Sequence, residues 1–296
     1  MKLEFKEINK SFGDNHVLKG ISFCAESSKA LGLLGRNGAG KTTSIRILMG
    51  VFSQDSGEVL IDGKPIDRKN LKFGYLPEER GLYPKRVIGE QLEYFGLLKG
   101  LNKKDAKSSA KKWLERLDMS EYENKKLDTL SKGNQQKIQR AAALIANPDI
   151  VVLDEPFSGL DPVNAMLLKD VIKEIIADGK IVLFSSHQMN YIEEFCDDVA
   201  ILNGGEIVLS GNLRDIKRGY DRTLIIVKSK DAKAISEYLS ESTEFEGDTV
   251  KVRLKSENDK NELLRRLSDG GFDIDNIDVF EPSLNDIFVQ YTSDRI

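Results

Sequence analysis

The chain has 296 residues, 44 Lys plus Arg against 48 Asp plus Glu, with 40% hydrophobic and 31% charged residues, the composition of an ordinary soluble globular protein. Its longest uninterrupted apolar run, Ala141 to Ala146, is six residues, far short of the ~20 that a membrane-spanning helix needs. The net charge of −4 argues against a strongly basic nucleic-acid binder. Two cysteines, Cys24 and Cys196, make neither a disulfide framework nor a metal cluster and read as buried thiols. No basic stub followed by an apolar stretch opens the sequence, which predicts a chain that stays in the cytoplasm.

The length suggests about two domains of roughly 150 residues each, and the charge divides unequally between the two parts. Asp221 to Ile296 carry 11 basic and 17 acidic residues, net −6, against 33 and 31, net +2, before them. The first portion alternates short apolar runs with longer amphipathic ones, the pattern of a sheet with crossover helices.

Ala30 to Leu34 is the first run that reads as a buried parallel strand. It leads into Gly35-Arg-Asn-Gly-Ala-Gly40-Lys41-Thr42, which fits G-x-x-x-x-G-K-[ST] and precedes the helical stretch Thr43 to Met49, as a phosphate loop must. The set Gly35, Asn37, Gly38, Ala39, Gly40, Lys41, Thr42 and Thr43 is therefore the candidate phosphate cradle. Its glycines let backbone N–H groups converge on phosphate oxygens, and the helix start adds its positive dipole end. Lys41 is placed to reach the β- and γ-phosphates, and the Thr42 hydroxyl to ligate Mg²⁺.

Val87 to Ala146 is rich in helix formers, with Ala106, Ala110, Trp113, Leu114 and Leu117 at spacings of three and four, which predicts a helical insertion. Within it Lys99, Lys103, Lys104, Lys107, Lys111 and Lys112, opposed only by Asp105, read as a solvated helix face. Contact with anionic headgroups or a partner is the alternative. Ile150 to Leu153 is a second buried strand and ends on Asp154-Glu155. Asp154 is placed to meet Mg²⁺, directly or through water, and Glu155 to accept a proton from attacking water; two solvated strand-end acids are the alternative. A third strand, Ile181 to Phe184, leads to Ser185-Ser186-His187. That position puts His187 on the ligand side of an open α/β sheet, where it is either structural or close to the γ-phosphate. Val199 to Ser210, turning at Asn203-Gly204-Gly205, reads as a hairpin, and the polar stretch Arg214 to Asp221 as a junction.

Over roughly Leu3 to Leu213 the sequence resembles the ATP-binding cassette proteins, the nucleotide-binding subunits of ABC transporters. The resemblance rests on motifs in order: Gly35 to Thr43, Leu130-Ser131-Lys132-Gly133-Asn134-Gln135-Gln136, Leu153-Asp154-Glu155-Pro156, Ser158-Gly159-Leu160-Asp161, then His187. It implies an α/β fold, a P-loop NTPase cassette with a helical subdomain at about 87–146, in a domain of residues 1–213 that binds ATP and Mg²⁺ and hydrolyses ATP. By the same resemblance Ser131 and Gly133 donate to the γ-phosphate held by a second copy. Asp161 lies in the dimer-contact loop, His187 is the switch histidine, and Phe12 stacks on adenine unless it is a core phenylalanine. Two positions depart from the common pattern. Glu78 stands where the family has a metal-sensing glutamine; a carboxylate there still binds Mg²⁺ but adds negative charge beside a triphosphate. Lys132 replaces a glycine of the signature, so the backbone must tolerate a side chain that faces either solvent or phosphate.

Tyr75-Leu-Pro-Glu-Glu-Arg-Gly-Leu-Tyr83 and Leu130 to Gln136 resemble one branch, the bacterial exporter ATPases related to Nat-type sodium-efflux and antibiotic-resistance systems. That branch often carries a small C-terminal domain. After a linker at 214–220, residues 221–296 fit such an α+β accessory domain, with strands at 224–227, 243–246, 250–254 and 274–280 and helices at 232–239, 259–267 and 284–290. The order is ferredoxin-like, β-α-β-β-α-β. The resemblance further implies a head-to-tail dimer of two copies and a separate polytopic membrane permease. Contact with the permease would run through Glu78 to Val87 and the neighbouring helices, on the inner face of the cell membrane, with no nucleic-acid partner. The alternatives are a soluble cassette ATPase in ribosome, DNA or cofactor-assembly work, and a regulatory module that binds ATP without turnover.

Overall fold

Buried and exposed side chains alternate from the second residue onward. Leu3 and Phe5 point into the core from β1 (Lys2–Phe12), and Phe5 stacks at 4.4 Å on its cross-strand partner Phe23 of β2 (Asn15–Glu26), the kind of pair that fixes an antiparallel register. The computed structural model describes residues 1–77, 81–220, 222–240 and 243–293. After β3 (Lys29–Gly35) come α1 (Lys41–Leu48), β4 (Ser56–Ile61), β5 (Lys64–Pro65) and β6 (Phe73–Leu76). A helical block follows, α2 (Ile88–Leu98), α3 (Lys103–Arg116) and α4 (Lys132–Leu144), then β7 (Ile150–Asp154), α5 (Pro162–Ala177), β8 (Ile181–Ser185), α6 (Met189–Phe195), β9 (Asp198–Asn203) and β10 (Glu206–Asn212).

Two sheets result. One is antiparallel, in the order β2-β1-β4-β5; the other runs β10-β9-β3-β8-β7-β6, parallel throughout except for β10. The three apolar runs read from the sequence are the central strands β3, β8 and β7. All residues at 30–34, 150–153 and 181–185 are buried, as a sheet covered on both faces requires. Their C-terminal ends leave the sheet along one edge. Ile45, Ile47 and Leu48 of α1 share a core with Leu31 and Leu33 of β3, Val152 and Leu183, so the helix after the glycine-rich loop is seated on the sheet.

In the helical block Asn102 caps α3 by accepting from the Asp105 N–H at 2.9 Å, and Ala106, Ala110, Leu114 and Leu117 are buried. Lys103, Lys104, Lys107, Lys111 and Lys112 are exposed, but Lys99 does not belong to that solvated face. It lies one residue past α2 and donates to the carbonyls of Ala142 (3.1 Å) and Ala143 (2.8 Å), closing the last turn of α4 where a cation opposes the negative end of the helix. Cys196 is buried as expected, whereas Cys24 is exposed, because alternate residues of β2 face away from the core.

The chain divides into two units, Met1–Leu213 together with residues from Phe288 on, and Arg214–Ile287. Most of the stretch read as a linker is helical, α7 (Leu213–Arg218). The second unit contains β11 (Leu224–Ser229), α8 (Ala232–Leu239), β12 (Thr243–Glu246), β13 (Thr249–Arg253), α9 (Lys260–Asp269) and β14 (Ile274–Val279), and α10 (Leu284–Thr292) ends the described chain. Its sheet is antiparallel, in the order β12-β13-β11-β14, the ferredoxin-like arrangement. Ile235 and Leu239 of α8 and Leu263 and Leu267 of α9 pack on Ile225, Val227, Val250 and Val252. Among the described residues no helix is long and apolar enough to cross a membrane.

Burial pushes the Lys99 ammonium down from 10.5 to about 8. Between those two values the unfolded chain holds a proton that the folded chain has shed, so the burial cost is complete below pH 8 and is relieved as pH rises. Denaturant titrations at pH 7.5 and 10 are expected to show wild type gaining about 2–3 kcal/mol relative to Lys99→Met. Equal changes in the two proteins contradict a buried, titrating amine at this position.

Candidate active site

The glycine-rich loop connects the C-terminal end of β3 to α1. Gly40 takes φ +113°, and a Cβ there would lie 2.5 Å from Leu18 Cδ2; at Gly35 it would lie 2.7 Å from the Leu202 carbonyl oxygen. Only glycine lets the backbone pass this close to β2 and β9. The α1 helix opens at Gly40 with no side-chain cap and no acid in its first turn. The positive end of its dipole therefore meets no acidic side chain in the first turn and favours an anion at the loop. Lys41 reaches back over the loop and donates to the carbonyls of Gly35 (2.6 Å) and Arg36 (3.3 Å). Asn37, Gly38 and Thr42 are exposed, Thr43 is half-buried and Ala39 is buried.

Asp154 ends β7 level with Ser185 of β8. Burial is the main cause that raises its carboxyl above the usual range, with the Glu155 charge adding to it and Lys41 opposing. The Tyr75 hydroxyl lies 3.5 Å from Asp154 Oδ2. A half-dry carboxylate is a hard oxygen donor of the kind Mg²⁺ takes. Among the described residues no group of three or more His, Cys, Asp or Glu converges as a metal cage. The Asp154 carboxylate has the chemistry to ligate Mg²⁺, an ion held by few protein oxygens with water and phosphate as its other ligands.

Glu155, the next residue, takes φ +48°, a left-handed conformation that a non-glycine residue holds only where its surroundings force it. Its N–H donates to the Ser185 carbonyl at 2.8 Å. Its carboxylate accepts from Ser186 Oγ (3.0 Å) and the His187 N–H (2.8 Å), and His187 Nδ1 lies 2.8 Å from Oε1. The Glu155 side chain is 10% exposed and that of His187 is 72% exposed. Phosphate loop, Asp154, Glu155 and His187 thus gather at the ends of β3, β7 and β8.

Ser131, Gly133 and Asp161 form a second group. Ser131 Oγ caps α4 by accepting from the Asn134 N–H at 3.4 Å, and Asp161 caps α5 by accepting from the Asn164 N–H at 3.0 Å. The Asn164 N–H and side chain together hold the Asp161 carboxyl below the usual range. A Cβ at Gly133 would lie 3.1 Å from Asn164 Nδ2, so the two helix starts abut. Among the described residues no hydrogen bond links Ser131, Gly133 or Asp161 to the first group. Lys132 has ordinary helical backbone and is exposed, so no strain accompanies the replacement of glycine and its side chain faces solvent. Phe12 is 43% exposed at the end of β1, which excludes a core phenylalanine. Glu78 lies outside the described residues. Ser186 and Tyr75 are the neighbours that the sequence did not single out; both act through strand pairing between β7 and its neighbours, which no local motif encodes.

The family described as ABC transporter matches residues 18–158, and the DrrA1-3-like ATP-binding protein C-terminal domain matches residues 211–292. The uncharacterized ABC transporter ATP-binding protein YhaQ of Bacillus subtilis is 40% identical over 291 residues, 97% of each chain. The chain belongs to the ABC transporter ATP-binding proteins. The linearmycin resistance ATP-binding protein LnrL of B. subtilis is 34% identical over 218 residues, covering 72% of this cassette protein and 70% of that one. A solved ATP-binding subunit of an ABC transporter superposes with TM-score 0.68 at 28% identity, over 74% of this chain and 92% of that one. The cassette is accordingly an ATP-binding, ATP-hydrolysing subunit of a transporter, and its accessory unit is of the DrrA1-3-like kind.

Because Gly40 combines left-handed backbone with a neighbour at 2.5 Å, Gly40→Ala is expected to cost about 1–3 kcal/mol of stability and to abolish binding of a fluorescent ATP analogue. Retained nucleotide binding contradicts this account of the loop.

Proposed function

We propose that the chain powers an exporter as a two-fold pair of cassettes seated on a separate membrane permease, with each ATP held between two copies. Phe12 stacks on the adenine, the N–H groups of residues 35–43 cradle the phosphates, and Lys41 meets the β- and γ-phosphates. Thr42 and Asp154 would hold Mg²⁺, which when bound would neutralise charge on the phosphates. Glu155 Oε2 or Oε1 takes the proton as a water oxygen attacks the γ-phosphorus and ADP leaves. Ser186 and the His187 N–H keep the carboxylate aimed, and the exposed His187 ring is available to the γ-phosphate. Ser131 and Gly133 of the second copy complete the γ-phosphate site, and Asp161 shapes the loop between the copies.

The observation that carries this reading is the separation of the two groups. One chain presents a phosphate cradle with a pinned base, and elsewhere a signature helix start that, among the described residues, has no hydrogen bond to that cradle. A second copy related by a two-fold axis supplies each half with the other. Likeness to LnrL, a linearmycin resistance ATP-binding protein, supports export as the direction.

A positioned general base contributes about 10²–10⁴ in rate. Glu155→Gln is therefore expected to abolish ATPase turnover while retaining ATP binding. In ATP and mild detergent the same variant is expected to leave native membranes as a dimer together with a polytopic membrane protein. Unchanged turnover contradicts the role of Glu155, and recovery only with ribosomes or DNA contradicts the transporter reading.

A further inference from the structure

On its β4 side, the end of β1 that carries Phe12 has no ladder partner. The ladder with β4 stops at Asn9↔Ser56, whereas the ladder with β2 runs on through a register shift between Lys10 and Ser11 to Phe12↔Asn15. Asp55, just before β4, holds the side that β4 leaves. Its N–H donates to the Asn9 carbonyl at 2.9 Å, and its carboxylate accepts from the Ser11 N–H at 2.6 Å and from Lys10 Nζ at 2.7 Å. The exposed Lys10–Asp55 ion pair contributes little by itself. The charge-assisted bond from Ser11 is short and fixes the residue immediately before Phe12.

A second support meets the Phe12 ring. Phe52 packs edge-on against it with centroids 5.2 Å apart, and the Arg46 guanidinium lies 5.7 Å from the Phe52 centroid. Arg46 belongs to the last turn of α1, and its carbonyl accepts from the N–H groups of Val51 (2.9 Å) and Phe52 (3.3 Å). The segment after α1 thus folds back on the helix that starts at the phosphate loop.

We propose that Asp55 and Phe52 are positioning residues for the nucleotide base: Asp55 anchors the strand end bearing Phe12, and Phe52, under Arg46, ties that platform to the phosphate-loop helix. The inference rests on the reading of Phe12 as the adenine-stacking residue. It sets the spacing between base and phosphates by two contacts outside every motif of the cassette, and neither residue touches a phosphate.

The test uses the full chain, with steady-state ATPase kinetics and inhibition by inorganic tripolyphosphate, which has phosphates but no base. Asp55→Ala is expected to raise KM for ATP about three- to tenfold, at and below the lower end of what a whole base–aromatic stack contributes because the ring stays in place, with kcat held within about twofold and the tripolyphosphate Ki unchanged. Asp55→Asn, which keeps an acceptor for the Ser11 N–H, recovers most of the loss, and Asp55→Ala adds nothing in a Phe12→Ala background. The proposal is overturned by an equal effect on tripolyphosphate, by a full additional effect in the Phe12→Ala background, or by an unchanged KM in Asp55→Ala where Phe12→Ala raises it. An unchanged KM in Phe12→Ala itself removes the base-stacking reading, and the proposal falls with it.

Discussion

The parallel pairing of β7 with β8 is the constraint on which the site depends. In register, Asp154 lies opposite Ser185, and one more bond, from the Glu155 N–H to the Ser185 carbonyl, carries the pairing past the strand ends. That extra step turns Glu155 into the left-handed region and swings its carboxylate against Ser186 and His187. A one-residue slip would reverse every side chain, force both covered faces to repack and carry Asp154 and Glu155 away from Ser185. The buried apolar runs on both strands make such a slip costly, so the same hydrophobic burial that holds the sheet together aims the Glu155 carboxylate.

The signature helix α4 is joined to this edge by its buried polar side. Gln139 Nε2 donates to the Pro77 carbonyl at 3.3 Å, and Gln136 Nε2 to the Ser158 carbonyl at 3.2 Å. Arg140, 2% exposed, follows them; burial lowers its guanidinium to about 10, and Asp161 is the opposing charge that favours its ionised form. One helix therefore grips the segment after β6 and the loop after β7, while its N-terminus presents Ser131 and Gly133 to the outside. Buried polar contacts of this type are specific because a misplaced helix leaves their donors without partners. The helix start that carries Ser131 and Gly133 is thus held in a fixed relation to the strand ends that carry Asp154 and Glu155.

Much of this was legible in the sequence, and the reason differs from residue to residue. The phosphate loop, Asp154 and Glu155 announce themselves because strand, glycines, lysine and helix follow one another in the chain, and local chemistry dictates each type. The ferredoxin-like unit was legible for the same reason: its periods alternate cleanly between strand and helix. What escaped depends on contacts between distant segments. Lys99 sits in a run of lysines, and only its packing against the end of α4 separates it from the solvated ones. Cys24 reads as buried from the sequence and Phe12 stays open between core and adenine stacking; strand facing exposes both. Ser186 and Tyr75 enter the site through neighbouring strands, and the departure at Lys132 is resolved only by seeing ordinary helical backbone there.

The central claim, that each working site is shared between two copies, is tested most directly by complementation. Lys41→Ala removes the cradle lysine, and Ser131→Arg blocks the exposed signature face without entering the core. Each variant alone is expected to be inactive. Mixed in equal amounts, they form pairs in which one site has both halves intact, so ATPase activity is expected to return to about a quarter of wild type for a two-fold assembly with independent sites. A mixture as inactive as its components would contradict a site built from two chains.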